Sequence, residues 1–176
     1  FTPNVKVRHT RSYGAEVVLH GDSLDEATSF ALKTAAQRNL ILVHPYDDVK
    51  VIAGQGTIAL EMLAAQPELD VLFVPIGGGG LIAGNAVAAK SLNPNIEIIG
   101  VEAKRYPSML SAIQNKKVEY GANTIADGIA VKQPGKLTMP LVKKYVDDIV
   151  LVDEEEIEAA VLLLLEVEKT VAEGSA

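Results

Sequence analysis

Four consecutive glycines, Gly77 to Gly80, join an apolar run ending at Val74, Pro75 and Ile76 to a second run that opens Leu81, Ile82, Ala83. The first run has the length of a buried strand and the second the pattern of a helix, so the glycines fall at a strand-to-helix junction. The start of a helix presents N–H groups without helical partners and the positive end of the dipole, which suits an anion. Glycine adds no Cβ to block a ligand and reaches positive φ. A tight turn with close helix-to-sheet packing would explain one or two glycines. Four in a row carry an entropy cost of about 0.5–1 kcal/mol each relative to alanine, so a phosphate cradle at Gly77, Gly78, Gly79 and Gly80, at the start of the Leu81 helix, is the better reading. The ligand stays open at this point. Gly78, Gly80 and Ala83 satisfy G-x-G-x-x-A, and Glu102 ends the next strand about twenty residues on, where a nicotinamide dinucleotide fold places its ribose-binding acid.

The elements that must carry this loop alternate along the chain. Ala15–Gly21 reads as a strand, Ser23–Asn39 as a helix, Leu40–Pro45 as a strand, Gly56–Gln66 as a helix, Asp70–Gly77 as a strand, Leu81–Asn93 as a helix and Ile96–Ala103 as a strand. Continuous apolar strands separated by helices imply a doubly wound α/β fold with a mostly parallel sheet covered on both faces. Capping signals support the helices: Thr2 and Pro3 before a first helix closed by Gly14, Ser23 with Glu26, Asn39 as a stop, and Asp153 with Glu156. The helix after Asp153 predicts a buried face at Ile157, Val161, Leu164 and Leu165, widened by Leu162, Leu163 and Val167. A helix this apolar wants a partner.

Composition narrows the function. The 176 residues are 48% hydrophobic and 22% charged, with a formal net charge of −7 and no cysteine. A disulfide framework and a thiolate metal site are excluded. No basic stripe exists for nucleic acid, since Lys116-Lys117 and Lys143-Lys144 are isolated pairs. The longest apolar run, from Ala159, is broken by charge short of a membrane span, and no signal peptide is evident, so a cytoplasmic location is expected. His44, before Pro45, is expected to shape a turn; His9 and His20 read as surface or packing residues, and Asp47 and Asp48 as loop and helix start. No serine sits on a nucleophile elbow.

Four segments in order, "HPYDDVKVIAGQGTIALEM", "VPIGGGGLIAG", "TIADGIAVKQPGKLT" and "YVDDIVLVDEEEI", resemble threonine dehydratases (threonine ammonia-lyases) and the similar serine dehydratases and serine racemases. These are fold-type II pyridoxal phosphate enzymes with a tryptophan synthase β-like fold, and the resemblance runs from about Thr2 to Gly174. It implies dehydration and deamination of L-threonine or L-serine to a 2-oxo acid and ammonia, with pyridoxal 5'-phosphate as electron sink. It places the cofactor phosphate on Gly77 to Gly80 with Leu81 opening the helix, and Gly128 of "ADGIA" beside the ring. Glu173 of "EGSA" matches a glutamate near the ring, and Gln55, Gly56 and Thr57 match a segment that starts a helix beneath the site. The resemblance also implies homo-oligomers and an amino-acid substrate.

The departures from the family pattern are equally specific. No lysine lies in text like "S-F-K-x-R-G-A", the family setting of the Schiff-base lysine, so that lysine is expected upstream and the chain reads as an inactive central portion of a longer enzyme. Residues 1–44 would be the remnant of the smaller, mobile domain, and residues 45–176 most of the larger, phosphate-binding domain. Some relatives hold a divalent cation through an acid at Glu102, a carbonyl at Tyr106 and a second acid, but Ser108 stands at that last position. Glu102 is therefore only a weak metal candidate, otherwise expected at the surface or near a monovalent ion. A dinucleotide-binding dehydrogenase domain and a non-catalytic regulatory module are the alternatives.

Overall fold

The computed structural model describes residues 2, 4–22, 24–121 and 123–176. Pro3 and Ser23, to which the sequence assigns capping roles, lie outside the described residues. The chain divides into two compact units, residues 1–43 and 44–176.

The first unit holds α1 (Asn4–Ser12) and α2 (Leu24–Arg38). Gly14 takes φ 83° and its N–H reaches the Arg11 carbonyl, which ends α1 as the sequence predicts. Asn39, at φ 51°, stops α2 in the same left-handed manner. The two strands expected at Ala15–Gly21 and Leu40–Pro45 do not form. A strand exists only through a ladder, and among the described residues neither segment has one; Val18, Leu19 and Ile41 stay exposed.

The second unit contains the sheet. Its elements run α3 (Val49–Ala65), β1 (Val71–Pro75), α4 (Gly80–Leu92), β2 (Glu97–Ala103), α5 (Ser108–Ile113), α6 (Thr138–Tyr145), β3 (Asp148–Val152) and α7 (Glu154–Glu166), with a 3₁₀ turn at Asp127–Ile129. The three strands are parallel in the order β1-β2-β3, with Val74 opposite Gly100 and Gly100 opposite Ile149. The α/β class with a parallel sheet is therefore the observed one. Alternation along the strands splits the core in two. Leu72, Val74, Ile98 and Ile149 face a cluster with Ile52, Ala59, Ile82, Ala86 and Val142, while Ala103 meets Ala126 and Ile157 on the α7 side.

Helix α3 starts at Val49, seven residues before the predicted Gly56. The Asp48 carboxylate accepts from the N–H groups of Lys50 and Val51, and this cap nucleates the helix early. Gln55, Gly56 and Thr57 consequently lie inside the helix rather than at its start. Gly56 serves another purpose: a Cβ there would stand 2.9 Å from the Gly84 carbonyl, and one at Gly84 would overlap the Ile52 carbonyl oxygen. The α3 and α4 backbones touch, which fixes α4 against the sheet.

Helix α7 carries the predicted capping box, with the Asp153 carboxylate bound to Glu156 N–H and the Glu156 carboxylate to Asp153 N–H. Its predicted buried face is only partly realised. Ile157 is buried, but Leu164 and Leu165 are exposed, because no described element covers that side.

Candidate cofactor-binding site

The glycine loop leaves the end of β1 and enters α4 at Gly79, the N-cap, which adopts φ 93° and ψ 1°. Only glycine takes that conformation without strain. Each glycine is also walled. A Cβ at Gly77 would lie 3.1 Å from Ile129 Cα and Val131 Cγ2, one at Gly78 would enter the Tyr46 ring, and one at Gly79 would crowd Met109 and Thr138. A Cβ at Gly80 would stand 2.9 Å from the Tyr46 backbone. Close packing and the Gly79 backbone conformation thus both demand glycine here.

The loop's hydrogen bonding is one-sided. The Gly78 carbonyl accepts from the Thr138 hydroxyl at 2.6 Å and from the Gly135 N–H at 3.1 Å. Among the described residues, no oxygen accepts from the N–H groups of Gly78, Gly79, Gly80 or Leu81. Such a cluster of unpaired donors at the positive end of α4 fits a phosphate group.

Gly128 and Glu173, far apart in sequence, meet beside this loop. The Gly128 N–H donates to Ser175 Oγ at 2.9 Å, and a Cβ on Gly128 would lie 3.9 Å from Glu173 Oε1. Gly77 packs on Ile129, so the 3₁₀ turn and the glycine loop adjoin. Gly77, Gly78, Gly79, Gly80, Leu81, Gly128 and Glu173 therefore occupy one region of the second unit.

Sequence reading missed the residues that support this region. Asp47 accepts from the N–H groups of Lys136, Leu137 and Thr138 at 2.9, 2.8 and 3.3 Å, capping the start of α6. His44 Nδ1 accepts from the Asp47 and Tyr46 N–H groups, so its role is the turn. Asp48 pointed to a helix start; nothing nearby in sequence pointed Asp47 toward a helix ninety residues away.

Glu102 differs from expectation. It is fully buried rather than at the surface, and its two oxygens accept from Met109 N–H at 2.8 Å and Leu110 N–H at 3.0 Å. Burial pushes its pKa up to about 7, against the lowering effect of those two N–H groups. β2 turns it inward, toward the start of α5. Among the described residues, no three His, Cys, Asp or Glu side chains are grouped to hold a metal ion.

A parallel α/β sheet with an unpaired N–H cluster at a glycine-lined strand-to-helix turn defines a phosphate-binding α/β protein. The comparisons specify which: residues 1–176 match the model of the pyridoxal-phosphate dependent enzymes, and the chain belongs to that family. It is 50% identical, over 99% of its length, to an L-threonine ammonia-lyase of Thermotoga maritima, of which it covers 44%. The processed form of threonine deaminase isoform 2 from Solanum lycopersicum matches with a TM-score of 0.91 and 38% identity, covering 99% of this chain and 48% of that one. Maize serine racemase matches with a TM-score of 0.91 and 36% identity, covering 98% and 53%. The chain spans about half the length of the curated relatives it matches. The family's cofactor is pyridoxal phosphate, which replaces the dinucleotide reading of Gly78, Gly80, Ala83 and Glu102. Among the described residues, no helix is long and apolar enough to cross a membrane.

Proposed function

We propose that this chain supplies the cofactor-phosphate portion of an ammonia-lyase that converts L-threonine, L-serine or both to a 2-oxo acid and ammonia. The observation that carries this reading is the 50% identity to a threonine ammonia-lyase across 99% of the chain. Residues 1–44 are assigned to the smaller domain and residues 45–176 to the larger one.

Pyridoxal phosphate, when bound, supplies an electron sink for the charge left as the α-proton departs. The residues of this chain hold and orient. The N–H groups of Gly78, Gly79, Gly80 and Leu81 would hold the phosphate, and the missing side chains at Gly77 and Gly128 let the loop and the 3₁₀ turn pack closely on Ile129 and Ser175. Glu173, whose carboxylate lies close to Gly128, would be a polar neighbour of the ring. The lysine that binds the cofactor comes from a segment outside these residues, since no lysine present has the family's surrounding motif. Residues 1–176 alone therefore release no product. The intact enzyme acts on a small amino acid and associates with further copies of itself.

The test is 2-oxo acid release by the product of the full reading frame, supplied with threonine or serine. Release from at least one, and none by residues 1–176, is the expected result. Failure with both amino acids overturns the assignment.

A further inference from the structure

The geometry points to Thr138 and Asp47 as positioning residues for the phosphate cradle, a role that rests on the cofactor reading above. A trans peptide directs its carbonyl and its N–H to opposite sides, and no peptide bond among the described residues is cis. The Gly78–Gly79 peptide is gripped at its carbonyl by Thr138 Oγ1 at 2.6 Å and Gly135 N–H at 3.1 Å. Its N–H, that of Gly79, is thereby aimed away from the Thr138 hydroxyl and, like the Gly80 and Leu81 N–H groups, has no acceptor among the described residues. Left free, a glycine peptide would rotate with little steric resistance. The grip converts a flexible run into an ordered set of donors.

Thr138 in turn is fully buried at the start of α6, so its hydroxyl cannot turn to water. The start of α6 is tied by the Asp47 carboxylate, which takes three successive N–H groups, those of Lys136, Leu137 and Thr138. Asp47 itself is set by its own N–H bond to His44 Nδ1 at 2.8 Å. Support therefore runs from His44 through Asp47 and Thr138 to the Gly78 carbonyl, and every link lies within residues 44–176. Neither Asp47 nor Thr138 need touch the ligand. They act by orienting the peptide that does.

The test uses the cofactor-free product of the full reading frame with pyridoxamine 5'-phosphate, and unphosphorylated pyridoxamine as control. Phosphorus NMR reads the bound phosphate, and amide NMR reads Gly77 to Leu81. Wild type is expected to bind the phosphorylated ligand in preference to the control. Thr138→Val should weaken that preference about tenfold, the worth of one well-aligned hydrogen bond, and shift the bound phosphorus signal. Thr138→Ser should restore both, and Asp47→Asn should fall between wild type and Thr138→Val. Unchanged binding and an unshifted signal in Thr138→Val overturn the proposal. A loss that Thr138→Ser fails to restore also overturns it, because packing rather than the hydroxyl would then be responsible. If wild type shows no preference for the phosphorylated ligand, the cofactor reading itself fails, which is a distinct result.

Discussion

Glu102 is fully buried at the end of β2, with its two oxygens held by the Met109 and Leu110 N–H groups. Its folded pKa of about 7 lies above its ordinary 4.5. For an acid raised in this way, stability is greatest below the unfolded value and falls as pH rises through the interval between the two. Each pKa unit corresponds to about 1.4 kcal/mol, so the loss across the interval is on the order of 3 kcal/mol. Glu102→Gln should remove that dependence: between pH 4.5 and 7.5, urea denaturation should show wild type losing stability relative to the variant. A constant difference across that range would refute the buried, raised carboxyl. Asp147 works in the other direction and in a lower range. Desolvation raises its pKa, but the Lys90 ion pair at 2.8 Å and the Ile98 N–H outweigh it and hold the group below its ordinary 3.8. Its contribution is lost as pH falls, so the two titrations separate. The glycine loop was legible because four identical residues mark a backbone requirement. Thr138 and Asp47 were not, because their partners are set by tertiary folding alone.

Helices were easier to read than strands. Caps at Gly14, Asn39 and Asp153 are local chemistry, so their residues declare them. The segments Ala15–Gly21 and Leu40–Pro45 have strand composition, but a ladder depends on a neighbour that no local pattern supplies. The crossing of α3 and α4 was invisible for the same reason, and it yields a paired prediction. Gly84→Ala would drive a methyl group into the Ile52 carbonyl and within 2.7 Å of Gly56 N, at a cost of about 1–3 kcal/mol. Gly54→Ala meets nothing within 4 Å on the exposed side of α3, and should stabilise by about 0.5–1 kcal/mol. Thermal or urea denaturation of the two variants checks both signs. Equal effects would mean that the helices are not in backbone contact.

The second unit leaves both outer strands of its sheet, β1 and β3, unpaired on one side among the described residues. Phe73 on β1 is 70% exposed, and a groove of about 250 Å³ runs between it, Val101, Ile157 and Leu164. Leu162, Leu163, Leu165 and Val167 extend the apolar surface along α7. Open edges and contiguous apolar surface drive association. Sedimentation velocity of residues 1–176 should therefore show mass rising with concentration, and Phe73→Lys should move the distribution toward monomer. A monomer at every concentration would contradict this. Much of this exposure was foreseeable from an α7 that is too apolar to stand alone, whereas the outer position of β1 depends on strand order.

The glycine loop, the two groups that grip it and the caps that hold those groups all belong to residues 44–176. A phosphate ester seated on the loop would therefore stabilise that unit as a ligand of its folded state, by about 2.7 kcal/mol at a concentration one hundred times its dissociation constant. Limited proteolysis should accordingly be slower with pyridoxamine 5'-phosphate present than without it, and equal rates would contradict this.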